Sequence, residues 1–393
     1  MSEKNNLYSK LGVSSKKEEV HQAIKSLDKG LFPGAFCKIV KDLIGRPNYC
    51  SIFHSDGAGT KASLAYMYYK ETGDMSIFKG IVKDALVMNI DDILCVGATG
   101  DVFLSNTIGR NSIFITGEMI ATIIHEFADY SKKMSEMGLK IIMCGGETAD
   151  VGDLVKTLIV DASIFTSMKK DEVIDASKID KSDVIIGLAS YGKATYEEEF
   201  NSGIGSNGLT LARHGTLSHE YYKKYPECYD QNIDEKYIFF GKYSLTDRIK
   251  GTELNVGKAL LSPTRTYVPL LIEILNHHRE NIHGIIHNTG GGQTKILNFG
   301  NNLKYIKDDL FPTPKIFEMI QESSETQWRE MFQVFNMGHR MELLCNENVA
   351  KEIMNISKKY DIDSKIIGHC EKSPLKKKNI LEINSEYDRF TYD

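Results

Sequence analysis

The stretch Ser55-Asp56-Gly57-Ala58-Gly59-Thr60-Lys61 follows the short apolar run Ser51-Ile52-Phe53 and occupies the expected end of a strand. It contains a carboxylate, two glycines, a hydroxyl group and an ammonium group. A carboxylate can bind Mg²⁺, glycines let backbone N–H groups approach anionic oxygens, and a lysine supplies a point charge for phosphate. The spacing is not that of a Walker A loop. Taken alone, the stretch fits a phosphate–magnesium site or an ordinary strand-to-helix turn.

The composition is that of an ordinary globular protein. The chain has 393 residues, of which 41% are hydrophobic and 26% charged, enough for a sizeable core and for two domains. The formal net charge is −5, so no global basic field attracts nucleic acid and an anionic ligand must be held by local groups. No apolar run approaches the length of a membrane span, so we expect no membrane partner.

The cysteines predict a reducing compartment. All seven are spread along the chain, without a Cys-x-x-Cys pair or a cysteine–histidine cluster at zinc spacing. Several lie inside apolar runs, where a free thiol behaves as a small hydrophobic group. The first residues are polar and lack the apolar core of a signal peptide. We therefore expect a cytoplasmic protein.

Apolar runs alternate with helical stretches, which indicates α/β or α+β layering. A charged segment over residues 168–183 separates two such sets. We predict an N-terminal domain at residues 1–172 and a C-terminal domain at residues 173–393, each with a glycine-rich loop after a strand. The tyrosine-rich region 192–260 fits a mobile insertion near an active site or a plain surface elaboration.

Three aspartates interrupt a helical apolar pattern over residues 81–95. Asp84 and Asp91 are seven residues apart and share a helix face, and Asp92 lies beside that face. A carboxylate on a mostly buried helix is costly unless it is paired or bound to a metal. The pattern predicts further magnesium ligands facing Asp56, the alternative being a stripe of aspartates exposed to solvent.

Other polar groups stand beside predicted strand ends or helix starts. Paired glycines permit close approach of a ligand, and serine or asparagine before a helix either caps it or contacts substrate. An arginine beside a helix start can bind phosphate through its donors and the helix dipole together. The residues concerned are Gly145, Gly146, Glu147, Ser206, Asn207, Arg265, Thr289, Gly290, Gly291 and Gly292.

The joint order of these motifs resembles the aminoimidazole ribonucleotide (AIR) synthetase family, the phosphoribosylformylglycinamidine cyclo-ligases of purine biosynthesis, which have a PurM-like fold. The resemblance runs from about Lys25 to the last strand and is closest to the longer form of Bacteroidetes-type bacteria. The matching segments, each quoted from this sequence, are Asp-Gly-Ala-Gly-Thr-Lys at 56–61, Asp-Asp at 91–92 with Gly-Ala at 97–98, Gly-Gly-Glu-Thr-Ala at 145–149, Ser-Asn-Gly at 206–208, Pro-Thr-Arg at 263–265, Thr-Gly-Gly-Gly at 289–292 and Phe-Asn-Met-Gly at 335–338.

The chain departs from the family pattern at several positions. Gly100 replaces a proline, Gly205 replaces the histidine before Ser-Asn-Gly, and Arg340 replaces the second glycine of the Phe-Asn-x-Gly-x-Gly turn. The glycine-rich N-terminal loop is reduced to residues 30–34. These departures concern substrate contacts and loop closure more than the nucleotide–metal core.

The resemblance implies a two-domain α/β fold. The first domain would pair with a second copy, building a dimeric β-barrel in a homodimer, and the C-terminal α/β domain would carry the second glycine-rich loop. ATP and Mg²⁺ would lie between the domains. The implied reaction is ATP-dependent ring closure of formylglycinamidine ribonucleotide to 5-aminoimidazole ribonucleotide through a phosphorylated amide, giving ADP and phosphate.

The family also implies roles for individual residues. Metal would be bound by Asp56 and Asp92, with Asp84 or Asp91 as further ligands. Lys25 and Lys61 would meet the ATP phosphates, and Lys61, Asp92 and Glu147 would form the catalytic set. The remaining assignments are Gly57, Gly59, Thr60, Gly145 and Gly146 to the nucleotide, and Ser206, Asn207, Arg265 and Thr289 to Gly292 to the substrate.

Two alternatives follow from the same motifs. The chain could be another PurM-like ATP-dependent enzyme, but a selenophosphate synthetase needs a reactive cysteine in a glycine loop, and Cys37 lacks that context. A formylglycinamidine synthetase subunit usually needs a glutaminase partner. The departures also suggest a catalytically silent nucleotide-binding relative, an idea opposed by the retention of Asp56, Lys61, Asp92 and Glu147.

Overall fold

The computed structural model describes residues 6–14, 18–375 and 377–393. The first half of the chain forms a five-stranded sheet of order β1-β2-β5-β3-β4, in which β3 and β4 are parallel and the other pairs are antiparallel. Its strands are β1 Val40–Lys41, β2 Tyr49–Gly57, β3 Val102–Arg110, β4 Ile141–Asp150 and β5 Leu158–Lys169. The helices of this half are α1 Leu7–Lys10, α2 Glu18–Ile24, α3 Lys61–Thr72, α4 Ile77–Leu94 and α5 Gly117–Glu136.

The second half forms a seven-stranded sheet of order β12-β11-β8-β10-β6-β9-β7. Its strands are β6 Val184–Ala189, β7 Ile282–His287, β8 Leu303–Lys307, β9 His339–Cys345, β10 Ser364–Lys372, β11 Ile380–Asn384 and β12 Arg389–Tyr392. Its helices are α6 Leu209–Thr216, α7 Glu220–Lys224, α8 Val256–Leu260, α9 Val268–His278, α10 Lys315–Ser324, α11 Trp328–Val334 and α12 Glu347–Lys358.

Helix α4 lies at the centre of the molecule. It packs on β2 and β5 on one side and on α5 and α9 on the other, so nearly all of its residues are buried. An amphipathic helix would leave one face in water, whereas α4 is apolar around most of its circumference because it is covered from both sides. Its aspartates are therefore placed inside the protein, facing either the sheet or the second domain.

The first sheet has one covered face and one open face. Along β3 the side chains alternate regularly, with Val102 and Leu104 buried and Phe103 exposed. Phe53 on β2 is 68% exposed on the same open side, and the rings of Phe103 and Phe165 lie 6.2 Å apart. This alternation is the period-2 pattern of a sheet with a single packed face.

The prediction of a two-domain α/β fold is confirmed, while strand lengths differ from those expected. β2 continues through Gly57 and β4 through Asp150, where sequence patterns indicated loops. Strand pairing with β5 and β3 prolongs both segments, overriding the low strand propensity of their glycines. The division at residue 172 stays a prediction, although α1 contacts the second half, where the Tyr8 amide donates to Glu330 Oε1 at 2.8 Å.

Region 192–260 packs between the two halves. All residues of α6 are buried, and the guanidinium of Arg213 donates to Ser63 on α3 at 2.7 Å. Asn255 also donates to the Tyr68 hydroxyl on α3 at 3.0 Å. The region thus forms part of the contact between the two domains. Within the described part of the chain, no helix is long and apolar enough to cross a membrane.

Candidate active site between the two domains

A cleft of about 850 Å³ opens between the two domains. Asp56 and Asp92 line it from the first domain, and Asn207 and residues 289–291 line it from the second. This volume falls within the range of roughly 300–1,000 Å³ that is usual for small-molecule sites. The structure therefore brings these predicted residues together from four separate parts of the sequence.

Asp92 is held at the cleft by two histidines. Its Oδ1 lies 2.7 Å from Nδ1 of His287, the last residue of β7, and its Oδ2 lies 3.3 Å from Nε2 of His54 on β2. Burial on its own raises the pKa of Asp92, but the hydrogen bonds of His287 and His54 outweigh it and bring the pKa well below its usual range. A carboxylate has about four lone-pair directions, so Asp92 keeps acceptor capacity for a ligand in the cleft.

The protonation of His54 follows from its neighbours. Asn89 on α4 turns its Nδ2 toward the carbonyl oxygens of Asp56, Ala85 and Ala162, so its Oδ1 is left to accept from His54 Nδ1 at 3.0 Å. Nε2 of His54 must then also be protonated to face Asp92. Burial lowers the pKa of His54, but the contacts with Asp92 and Asn89 raise it above the ordinary value overall. The contacts of both ring nitrogens thus favour the doubly protonated form of His54 beside Asp92.

Asp56 stands two residues after His54 on the same face of β2. Burial is the main cause that raises its pKa, and the nearby Asp92 carboxylate adds to this effect. Asp161, opposite Gly57 in the pairing of β2 with β5, has its pKa raised by burial and by the charge of Asp56. These carboxylates repel one another, and a cation at the cleft would relieve that repulsion.

The donor set suits Mg²⁺ bound together with phosphate. Among the described residues, no group of three or more histidine, cysteine or acidic side chains has the geometry of a metal site. Magnesium usually takes one or two carboxylates and fills its other positions with substrate phosphates and water. Asp56 and Asp92 provide such a pair at the wall of the cleft.

The second glycine-rich loop is supported from below by a buried ion pair. Lys307 Nζ lies 2.5 Å from Glu342 Oε1 and also donates to the Gln293 side chain, which follows the loop. Asn288, which precedes the loop, donates to the same Glu342 oxygen at 2.6 Å. The amides of Gly290 and Gly291 have no acceptor among the described residues. The loop thus offers two free N–H donors at a fixed position in the cleft.

Lys61 has a different place from the one predicted. Its side chain is fully buried, and Nζ donates to Asp84 Oδ1 at 2.9 Å, to the Gly205 carbonyl at 3.0 Å and to the Ser262 carbonyl at 2.6 Å. All three ammonium protons are used, so a contact of Lys61 with phosphate is not supported. Burial lowers the pKa of Lys61 and raises that of Asp84, which makes desolvation the main cost of this pair.

Asp84 and Asp91 bind the second domain rather than the cleft. Asp84 Oδ1 also accepts from the amide and hydroxyl of Thr264, at 2.7 and 2.5 Å. Asp91 Oδ1 accepts from the Thr266 hydroxyl at 2.8 Å, and burial raises the pKa of Asp91 to about 6. The two aspartates share a helix face as predicted, but that face meets residues 262–267. This arrangement does not support the predicted role of Asp84 and Asp91 as metal ligands.

The guanidinium of Arg265 is also engaged by other groups of the protein. Its guanidinium forms an ion pair with Glu197, with Nη2 at 2.5 Å from Oε2, and Nη1 donates to the carbonyls of Ala189 and Tyr191. The side chain is fully buried. The predicted contact of Arg265 with a substrate phosphate does not fit this arrangement, in which the arginine joins β6 to the residues before α9.

The predicted Glu147 site lies on the far edge of the first sheet. Gly57, Asp161, Thr107 and Glu147 form one row across four paired strands. Three strand spacings of about 4.8 Å put Glu147 roughly 14 Å from Gly57. Within one chain, Glu147 is exposed on edge strand β4 and is not part of the cleft wall around Asp56.

Gly145 and Gly146 serve the strand that carries Glu147. Gly145 has a φ of +89° where the pairing of β3 with β4 shifts register, as in a β-bulge. Any side chain on Gly146 would collide with Asn106 on β3. These two glycines are explained by strand pairing, and the nucleotide role predicted for them does not fit their place outside the cleft wall.

The other predicted residues are not part of the cleft wall. Thr60 contacts Thr210 of the second domain through their hydroxyl groups at 3.3 Å. Lys25 is exposed and has no ion pair among the described residues. The remaining members are Gly57, Gly59, Ser206 and Gly292, and the wall of the cleft includes none of them.

Sequence patterns missed the residues that orient Asp92. The histidines of the second domain are not at metal-ligand spacing, and neither His287 nor His54 belongs to one of the motifs quoted above. A signal was available for both, because His54 is at i−2 from Asp56 on one strand face and His287 ends the strand before the glycine loop. Lys295 and Lys378, which line the outer part of the cleft, were also missed.

Comparison with known proteins places the chain among its relatives. The profile described as AIR synthase related protein, N-terminal domain, matches residues 37–167, and the profile for the C-terminal domain matches residues 181–377. The chain belongs to the AIR synthetase family. The resemblance drawn from the sequence motifs is thereby confirmed.

Curated relatives of this AIR synthetase family member cover most of its length. A phosphoribosylformylglycinamidine cyclo-ligase of Methanococcus vannielii is 30% identical over 377 residues, which are 95% of this chain and 88% of that protein. The cyclo-ligase of Methanocaldococcus jannaschii is 29% identical over 340 residues, 86% of this chain and 81% of that protein.

Solved structures show the same fold at low sequence identity. T. maritima PurL complexed with FGAR matches with a TM-score of 0.55 and 14% identity, covering 96% of this chain and 49% of that one. The chain thus spans about half the length of the T. maritima protein. A protein of the HypE–HypF complex matches with a TM-score of 0.54 and 15% identity, covering 96% of this chain and 98% of that one.

Proposed function

We propose that this protein is an ATP-dependent phosphoribosylformylglycinamidine cyclo-ligase whose reaction takes place in the cleft between the two domains. The observation that supports this most directly is the meeting of Asp56 and Asp92 with the free amides of Gly290 and Gly291 at one cleft. An acidic wall suits a magnesium–phosphate group, and free backbone donors suit anionic oxygens. The curated relatives are named cyclo-ligases, and this chain matches them over 88% and 81% of their length.

In this proposal, Asp56 and Asp92 hold Mg²⁺, which would neutralise the charge of the ATP phosphates. Asp92 is oriented by His54 and His287, so its remaining lone pairs point in a fixed direction. T. maritima PurL, which shares the fold, has been seen complexed with ADP and with FGAR. We carry nucleotide binding and a ribonucleotide substrate over to this chain as part of the proposal.

The reaction balances with these components. The γ-phosphoryl group passes from ATP to the formyl oxygen of formylglycinamidine ribonucleotide. A nitrogen of the amidine then attacks the activated carbon, the carbon–oxygen bond to phosphate breaks, and a proton leaves the nitrogen. The products are 5-aminoimidazole ribonucleotide, ADP and phosphate. Such a transfer depends mainly on positioning and charge stabilisation, which the loop amides and fixed carboxylates can provide.

The outer part of the cleft suits the substrate phosphate. Lys295 and Lys378 line it, and although Lys378 Nζ pairs with Asp393 Oδ2 at 2.6 Å, its other ammonium protons can meet phosphate oxygens. Arg265, the predicted phosphate ligand, is engaged with Glu197 instead. We therefore assign the ribose phosphate of the substrate to the lysine-lined end and the reacting amide to the end near Asp92.

The direct test is the conversion of formylglycinamidine ribonucleotide by the purified protein with ATP and Mg²⁺, measured as aminoimidazole formed. We expect product in stoichiometric amounts with ADP. A preparation that yields no product while a cyclo-ligase control is active would refute the assignment. Product from formylglycinamide ribonucleotide and ammonia instead would indicate a synthetase.

Asp56→Asn should reduce ATP turnover by on the order of 100-fold, because the amide keeps the shape of the side chain but loses the charge that Mg²⁺ needs. The measurement is phosphate release, with the far-UV circular dichroism spectrum as a check on folding. Asp101→Asn is the matched control, since Asp101 forms an exposed pair with Lys140 away from the cleft. Full turnover by the Asp56 variant would remove this residue from the metal site.

We also propose a cytoplasmic homodimer formed through the open face of the first sheet. Exposed apolar side chains cluster on this sheet, and contiguous apolar patches commonly mark interfaces. Its members, with large exposed fractions, are Phe53, Phe103 and Ile159, which lie on one face by the pairing of their strands. Pairing of two such faces would also cover edge strand β4. All seven cysteines are free thiols, as expected in a reducing compartment.

Phe53→Arg should convert a dimer to a monomer, because a guanidinium at the centre of the apolar face would be desolvated without a partner. Light scattering coupled to size-exclusion chromatography measures the mass directly. Leu375→Arg serves as control, since Leu375 is 44% exposed in the second domain. A monomeric wild type, or a dimeric Phe53 variant, would contradict the proposed interface.

A further inference from the structure

Arg340 is one of the largest fully buried side chains of the protein. Arg340 is the second residue of β9, the strand that begins directly after the Phe-Asn-Met-Gly turn, and it is 2% exposed. A guanidinium is always charged, so its burial is costly unless its donors are used in good geometry. Its partners connect three elements that meet behind the cleft, and each of them constrains its orientation.

The first partner of Arg340 is the histidine that binds Asp92. Arg340 Nε lies 3.0 Å from His287 Nε2, and Arg340 Nε can only donate. His287 Nε2 must therefore accept, which leaves the proton of the neutral ring on Nδ1. That proton is directed at Asp92 Oδ1, 2.7 Å away. The arginine thus selects the one neutral tautomer of His287 that can donate to the carboxylate at the cleft.

The other partners of Arg340 hold the guanidinium in place. Nη2 donates to the carbonyl of Arg265 and lies 3.6 Å from Asp91 Oδ2. Within the part of the chain that the structure describes, that Asp91 oxygen has no hydrogen-bond partner, so the charge of Arg340 is its main compensation. The plane of the guanidinium is also near the ring of Tyr267, 5.5 Å from its centroid.

Space for Arg340 is provided by Gly205. A Cβ on Gly205 would lie 3.6 Å from Arg340 Nη1 and 3.7 Å from Arg340 Cδ, in van der Waals contact, so a long side chain directed the same way would compete with the arginine for space; the φ of +70° also favours glycine here. Gly205 and Arg340 are the two positions where histidine and glycine stand in the family pattern. These two departures from the pattern are therefore neighbours in space. The large side chain is at position 340 in this protein, whereas the family pattern has it at position 205.

We propose that Arg340 is a positioning residue of the cleft, which fixes the tautomer of His287 and thereby the Asp92 carboxylate, and that Gly205 is its obligatory spatial partner. The inference rests on the proposed function only for the role of Asp92 toward Mg²⁺. The hydrogen-bonded series from Arg340 through His287 to Asp92 exists independently of any reaction.

The first experiment tests the tautomer directly in the free protein. In ¹⁵N-histidine-labelled wild type, two-bond ¹H–¹⁵N spectra should show His287 as the neutral Nδ1–H form, with its signals identified by their loss in His287→Gln. In Arg340→Met, which keeps the length of the side chain without donors, the signals should change to a mixture of tautomers or to the Nε2–H form. A wild-type His287 protonated on Nε2, or an unchanged tautomer in Arg340→Met, would overturn the proposal.

The second experiment measures the consequence at the cleft. Arg340→Met should lower kcat by about 10–100-fold and raise the Mg²⁺ concentration needed for half-maximal rate, with a smaller change in KM for the ribonucleotide. Arg213→Met, which removes another buried guanidinium far from His287, should leave the Mg²⁺ dependence unchanged. A loss of activity in Arg340→Met with an unchanged Mg²⁺ dependence would reduce Arg340 to a structural residue and contradict the inference.

The reciprocal exchange tests the partnership of the two positions. Gly205→His should destabilise the protein more than Gly205→Ala, because both carry the backbone strain of a φ of +70° but only the imidazole competes with the guanidinium for space. Combining Gly205→His with Arg340→Gly should cost less thermal stability than the sum of the two single losses, whereas additive losses would contradict the coupling. If the wild type forms no aminoimidazole, the proposed function fails, while the tautomer and exchange experiments still decide the inference about Arg340.

Discussion

Lys61→Met is expected to lower the free energy of unfolding by about 3–5 kcal/mol, the usual cost of removing one partner of a buried ion pair. Asp84 would remain fully buried with its charge uncompensated, and the Gly205 and Ser262 carbonyls would each lose a donor. Because these acceptors belong to both domains, the variant should also weaken the contact between them. Urea unfolding followed by circular dichroism measures the change.

A double variant measures how much of the stability lost in Lys61→Met comes from the unpaired charge of Asp84. Lys61→Met combined with Asp84→Asn should recover about half of the lost stability, since asparagine can still accept from Thr264 without a buried charge. Lys140→Met is the control, because Lys140 forms an exposed pair with Asp101 that is worth less than about 1 kcal/mol. A stable Lys61→Met protein that has lost ATP turnover would restore the catalytic role predicted from the motif.

Asp92→Asn is expected to lower aminoimidazole formation by on the order of 100-fold or more, with much of the fold retained. Asp92 accepts from His287 on one oxygen and faces protonated His54 with the other. An asparagine can accept from only one of them, and its NH₂ group would face the other donor. The side chain would thus lose its charge and its fixed orientation together.

The Asp92 prediction is checked by steady-state rates at several Mg²⁺ concentrations. The half-saturating concentration should rise along with the loss of kcat. Asp150→Asn is a suitable control, because Asp150 lies on edge strand β4 and pairs with Arg110 of β3. Equal losses in both variants, or a normal rate in Asp92→Asn at ordinary Mg²⁺, would show that the carboxylate at residue 92 is not the metal ligand.

The Lys61 prediction reverses part of what the glycine-rich motif suggests. In the motif, Asp56 and Lys61 appear as partners on one phosphate, five residues apart. Strand β2 ends at Gly57 and α3 begins at Lys61, so the chain turns between them. The turn leaves Asp56 at the cleft and directs Lys61 toward α4 and the second domain. Short motifs do not encode that change of direction.

The aspartates of α4 illustrate the same limit. Helical spacing correctly placed Asp84 and Asp91 on one face and Asp92 beside it. Spacing alone cannot say what each face meets. The common face of Asp84 and Asp91 meets residues 262–267, and the adjacent Asp92 meets the cleft, because a second domain almost 200 residues away in the sequence covers the helix.

The sequence by itself determined the fold class, the family and the set of polar residues from which the site is made. The order of the motifs and the hydrophobic pattern can be recognised along the chain without knowledge of its three-dimensional structure. Only the tertiary structure decided which polar groups face the cleft and which form hydrogen bonds and ion pairs inside the protein. The physical reason is that a buried charge must find its partner wherever the packing of two domains brings one, as Lys61 finds Asp84 and Arg340 finds His287.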